Sequence, residues 1–252
     1  MKTNKWIWLV MIVGLVGVLF MTSQFGSKKL EITEHISSEE VQSIEIMNDS
    51  WDIEVKESID NQVYVDITGK QKDKKKAPVV VTHKDNQLII QQHKQIGGAF
   101  SAFTFEKEGT ITILIPKNTV EQVTLINNEG DLNIQTLATQ KLTLQNQAGN
   151  VKFNQVEASV LNVFSKNGEI VIKRVDEKGE MNVETETGDI QVAYQNAPSS
   201  LKVAVENAKG DTTVNLANLS TTKNTDAEVH GTIGAGENSL HVKSYSGSIG
   251  IK

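Results

Sequence analysis

Five positions carry polar groups in a spacing that could do chemistry. Asp131, Asn150, Glu169, Asp189 and Asp211 each directly follow a glycine. If those glycines stacked, the oxygens would form a ladder, and rows of oxygen ligands can hold calcium. The calcium-binding nonapeptide solenoid needs a nine-residue period with paired glycines, which this chain lacks. The row therefore reads as turn-forming residues at a solvated corner. Clustered carboxylates could also cleave a glycosidic bond by acid–base catalysis. Against that, there is one arginine, Arg174, and His35, His83, His93, His230 and His241 are scattered without ligand spacing. The absence of cysteine excludes disulfides, thiolate metal sites and thiol nucleophiles. No catalytic residue, metal, cofactor or small-molecule substrate is assigned, and the chain reads as a non-enzyme.

The elements that would place such a row come from self-comparison. One template recurs, with Φ apolar: Φ-x-Φ-x-[N/S/T]-x-x-G-[D/E/N/S]-Φ-x-Φ. It is met by VTLINNEGDLNI, LTLQNQAGNVKF, LNVFSKNGEIVI, MNVETETGDIQV and LHVKSYSGSIGI, and by VAVENAKGDTTV with Thr212 at one apolar position. IEIMNDSWDIEV is a seventh copy whose glycine is replaced by Trp51. The structural glycines are Gly130, Gly149, Gly168, Gly188, Gly210 and Gly247, at intervals of 19, 19, 20, 22 and 37 residues. Each copy is two short strands meeting at a corner, where glycine permits the positive φ of a sharp bend. The preceding Asn127, Asn146, Ser165, Thr185, Asn207 and Ser244 can hydrogen-bond the turn backbone. A further apolar position at Leu137, Val156 and Val175 adds a third short side. One such coil cannot bury its apolar face, but stacked coils can, at roughly 4.8 Å per coil. The expectation is an all-β fold, a parallel β-solenoid. An antiparallel sandwich of N-x-x-G hairpins is the competing fold, but it has no reason to repeat side-chain identity every nineteen residues.

The repeat domain spans 44–252, with regular coils over 122–252. The stretch 56–121 breaks the regularity and reads as an irregular antiparallel insertion near the N-terminus, capping the first coil against edge pairing. Residues 26–43 read as a polar linker with a turn at Ser37 to Val41. At the far end the last coil has no sequence left to cover it. Either its edge is exposed, or Asn215 to Ser239 folds over it.

Residues 1–25 form the expected transmembrane signal anchor. Trp6 to Phe25 carries no charge, and twenty helical residues span about 30 Å, the thickness of a bilayer core. No small-x-small cleavage site follows. Lys2 and Lys5 favour a cytoplasmic start, which puts the C-terminal domain outside the cell membrane in a single-pass arrangement. Without those two lysines, 23 basic residues face 31 acidic ones, a net charge of −8. That balance argues against nucleic acid as a partner. QIGGAFSAFTF offers Phe100, Phe103 and Phe105 as a partner-contact loop or as a packed edge strand. KQKDKKKAP reads as a solvated hairpin tip that could also touch an anionic envelope polymer or lipid headgroups.

The glycine-corner copies, together with ITILIPKN before the first regular one, resemble the bacterial "putative adhesin" family, a β-strand-repeat domain of unknown function. The resemblance covers about Ile44 to Ile251. It implies a membrane-attached repeat domain with an envelope role, linked through the chain's size and anchor to envelope-stress regulation, and it transfers no catalytic residue. Trp51 and the 37-residue interval depart from the pattern. The functional expectation is a non-catalytic binding or scaffold module at the cell envelope, engaging the membrane and an envelope polymer or membrane protein. The alternatives are a carbohydrate-active β-helix enzyme and a cytoplasm-facing solenoid that self-assembles through its last coil.

Overall fold

The computed structural model describes residues 28–71, 77–93 and 109–252. Alternating burial shapes nearly every strand. In β2 (Ser43–Asn48) and β8 (Gln122–Asn127) every second residue is buried, so one face of each strand meets the core. These strands turn a corner into β3 (Asp52–Glu57) and β9 (Leu132–Ile134). The same step joins β10 (Leu137–Ala148) to β11 (Val151–Phe153), β12 (Val156–Asn167) to β13 (Ile170–Val175), and β14 (Glu180–Thr187) to β15 (Ile190–Tyr194). It recurs from β16 (Leu201–Asn207) to β17 (Thr212–Val214), and from β20 (Asn238–Ser246) to β21 (Ile249–Ile251). Coil pairs with coil in parallel register, for example Leu142↔Leu161 and Val151↔Ile170. The described chain is thus a mostly parallel, 21-stranded, solenoid-like stack.

Two walls enclose the core. The first runs β5 (Val79–Lys84), β6 (Gln87–Gln92), β2, β8, β10, β12, β14, β20, β16, β19 (Glu228–Ile233) and β18 (Ser220–Asn224). The second runs β1 (Lys28–Ser37), β4 (Gln62–Gln71), β7 (Gly109–Ile115), β3, β9, β11, β13, β15, β21 and β17. Leu137, Val156 and Val175 align from coil to coil as a short third side, all buried. The interior is almost entirely Ile, Val and Leu, with Trp51 and Phe153 the largest buried side chains.

Three boundaries differ from the sequence reading. Residues 28–37 are not linker: β1 pairs antiparallel with β4 over ten residues, because Leu30, Ile32 and Ile36 give it an apolar face that packs on the core. A 3-10 turn at Ser38–Glu40 follows. Within 56–121, β4 and β5 are antiparallel, but β6 and β7 run parallel to β2 and β3 and make an additional coil outside the first.

The third difference is the order of the coils. The last coil in sequence is neither exposed nor covered by 215–239. It lies inside the stack, with Met181↔Leu240 on one side and Val203↔Leu240 on the other. The antiparallel β18–β19 hairpin packs instead on β16. Burial drives the insertion, because Leu240, Val242, Ile249 and Ile251 are all at most 2% exposed. Four such side chains contribute about 6–12 kcal/mol as an upper estimate.

Among the described residues, no helix is long and apolar enough to cross a membrane. The expected anchor, residues 1–25, and the loop residues Phe100, Phe103 and Phe105 lie outside the described residues.

Candidate functional site

The corner column is built for stacking. Gly130, Gly149, Gly168, Gly188, Gly247 and Gly210 follow one another along the axis with φ between +104° and +142°. A Cβ on each would overlap the carbonyl oxygen of the corner before it, starting from Trp51 above Gly130. Two constraints therefore coincide here, a left-handed backbone and no room for a side chain. Trp51 heads this column, and its ring occupies the space beside Gly109, where a Cβ would strike it.

Inside the corner runs a buried amide ladder. Asn48 Nδ2 donates to Asn127 Oδ1 (2.6 Å), Asn127 Nδ2 to Asn146 Oδ1 (2.7 Å), and Asn146 Nδ2 to Ser165 Oγ (3.0 Å). Asn127 and Asn146 also donate to the carbonyls of Gly130 and Gly149 in their own corners. Beyond Ser165 the hydroxyls are too short to bridge coils. Thr185 Oγ1, Ser244 Oγ and Asn207 Oδ1 are buried without a partner.

The outer row of polar residues is tied to the backbone. Asp52 Oδ1 accepts the N–H of Asp131 (2.9 Å), Asp131 Oδ1 that of Asn150 (2.9 Å), and Asn150 Oδ1 that of Glu169 (3.2 Å). Asp189 Oδ1 accepts from Ser248 N–H (2.7 Å). These oxygens staple one coil to the next. Among the described residues no three carboxylates or histidines converge as metal ligands do. Asp52, Glu54, Asp131, Asn133, Asn150 and Lys152 border an open depression of about 450 Å³.

A second charged group lies near the third side. Lys117 Nζ is 3.2 Å from Glu157 Oε2, and Asp176 sits beside Glu157. Burial, then the charge and hydrogen bond of Glu157, hold the Asp176 carboxyl above its ordinary value, while Lys117 and Lys178 pull it back. Next to it, Glu177 accepts the N–H groups of Ser199 (2.6 Å) and Ser200 (2.5 Å). Burial alone would raise Glu177, but these bonds hold it below its ordinary value. This clamp fixes the loop that leads into β16.

The outer face of the first wall is where exposure departs from the usual polar surface. Register aligns Val80, Gln91, Met47, Ile126, Gln145 and Phe164 in one outward column. Five strand spacings make it about 24 Å long. Val80 is 44% exposed and Ile126 37%, and Met47 and Phe164 are half-buried. Ile89 widens the stripe at β6. Past Phe164 the column becomes Glu184, Lys243, Glu206 and Glu228, so the apolar surface ends sharply halfway along the stack. The stripe is not among the sites expected from the sequence. Its signal is the residue four before each corner, apolar in Met47, Ile126 and Phe164 and polar in the other copies.

The family described as Toastrack DUF4097 matches the chain twice, over 41–178 and 120–252, and so from β2 to the last coil. The chain belongs to the Toastrack DUF4097 family. No curated protein matches it. Among solved structures, it is similar to a putative cell adhesion protein from Clostridium sporogenes, with 17% identity and a TM-score of 0.53 over 89% of this chain and 99% of that one. It is also similar to a putative adhesin from Bacteroides fragilis, with 19% identity and a TM-score of 0.47 over 88% and 97% of the two chains. At these identities the first likeness shows a shared fold. The overlapping Toastrack matches both contain Gly130, Gly149 and Gly168, which is what a unit repeated along one axis produces.

Proposed function

We propose that this Toastrack chain is a non-catalytic binding module, tethered by its N-terminal apolar segment and displayed outside the cell membrane. Its partner is an envelope polymer or a membrane protein, and its setting is the response to envelope stress that the family resemblance implies. The apolar stripe of Val80, Met47, Ile126 and Phe164 carries this reading. An outward stripe about 24 Å long on a hydrogen-bonded wall suits an extended macromolecular surface, whereas a small substrate needs a concave pocket that buries most of it. The corner carboxylates support the same reading, since they bond to backbone N–H groups of neighbouring coils. The cell-adhesion description of the Clostridium sporogenes structure agrees with it.

The test is crosslinking of the full chain in intact bacterial cells, comparing the natural protein with an Ile126→Lys/Phe164→Lys variant. The expected result is a tenfold or greater loss of crosslinked envelope partner at unchanged unfolding midpoint, and equal yields would contradict the reading. Protease added to the same intact cells should cut the repeat domain, and full protection would contradict the outward display.

A further inference from the structure

We infer that the C-terminal coil is an exchangeable element, and that the partner it fits is a second copy of this chain. Asn238 to Lys252 occupies a slot whose walls, β14/β15 and β16/β17, both precede it in sequence. Each wall follows the same corner template, so the slot needs only this segment to be complete. Every contact that seats the segment, from Met181↔Leu240 to Val214↔Ile251, is the same whether the segment comes from its own chain or from another copy.

The connection to the slot favours exchange. Ile233 and Asn238 flank Leu201 on opposite sides, two strand spacings or about 10 Å apart. The chain between them doubles back tightly: Gly236 N–H donates to Ile233 O (3.2 Å), and Gly234 and Gly236 have φ of +57° and +67°. A Cβ on Gly234 would fall on the carbonyl oxygen of Ser199. Short, tight hinges of this kind invite swapping, because opening them releases the reversal while the contacts are remade between copies. Fully extended, the hinge reaches about 17 Å, which holds two slots side by side and favours a reciprocal, two-fold dimer. This inference is independent of what the apolar stripe binds.

The absence of cysteine makes the test clean. Glu184 and Lys243 are exposed register partners across β14 and β20, and parallel neighbours lie within disulfide range. Two differently tagged full-length chains, one Glu184→Cys and one Lys243→Cys, are co-expressed and mildly oxidised. A disulfide-linked heterodimer is expected. Its yield should rise several-fold when Ala235 and Gly236 are deleted and fall when four Gly/Ser residues are inserted there. The double variant in a single chain must form the internal bridge, and its failure to do so would overturn the register behind the inference. An internal bridge with no heterodimer, even with the shortened hinge, would overturn the exchange. A heterodimer whose yield ignores hinge length would overturn it too, since surface collision would then explain it.

Discussion

Glycines in this chain differ sharply in what they tolerate. Gly149 combines φ +109° with a carbonyl where its Cβ would go, so Gly149→Ala should cost about 2–5 kcal/mol in urea unfolding. At Gly250 a Cβ would meet only the end of the Gln191 side chain, and Gly250→Ala should cost about 1 kcal/mol or less. Equal costs at the two sites would contradict the stacked corner. The amide ladder makes a prediction of the opposite sign. Ser244→Asn supplies a donor that can reach the unpartnered Asn207 Oδ1, as Asn127 reaches Asn146, and should stabilise the chain by about 1 kcal/mol. The glycines and the polar residues ahead of them are legible in sequence because each copy repeats them. The stripe is harder to read, since three apolar residues in seven copies become a surface only once register is known.

Single elements carry the pH dependence. The folded Asp176 carboxyl lies above its ordinary value of 3.8, so the fold favours its protonated form. Its stabilising contribution is fully present below that value and is lost as pH rises through the folded pKa. Asp176→Asn should therefore raise the thermal midpoint at pH 7 and leave it unchanged near pH 3, and a stabilisation that does not vary with pH would contradict the assignment. Glu177 acts with the opposite sign, stabilising above its ordinary value and losing that contribution on acidification. The strands themselves follow from alternation, and β2, β8 and β14 fall where the apolar residues fall. The strand β1 is less legible, because Leu30, Ile32 and Ile36 are interleaved with charges that fit a linker equally well. Those charges protect an edge strand, which needs apolar residues on one side only.

At the scale of the whole molecule, the order of the coils is what sequence could not show. All copies share one template, so any coil can pair with any other, and similarity along the chain does not reveal which coils are neighbours. Both ends depart from sequence order: β6/β7 lies outside β2/β3, and β20/β21 lies inside β16/β17. At the C-terminal end, this places β20/β21 between two coils that both precede it in sequence. The rigid wall under the apolar stripe and the exchange of the last coil both follow from this order.

Native-state hydrogen exchange tests that order most directly. Interior placement predicts that the amides of Val242, Ile249 and Ile251 exchange about as slowly as those of Val163 and Ile172 in the middle of the stack. Rapid exchange of 240–251, with the rest of the stack protected, would place the last coil at an open end and contradict the account.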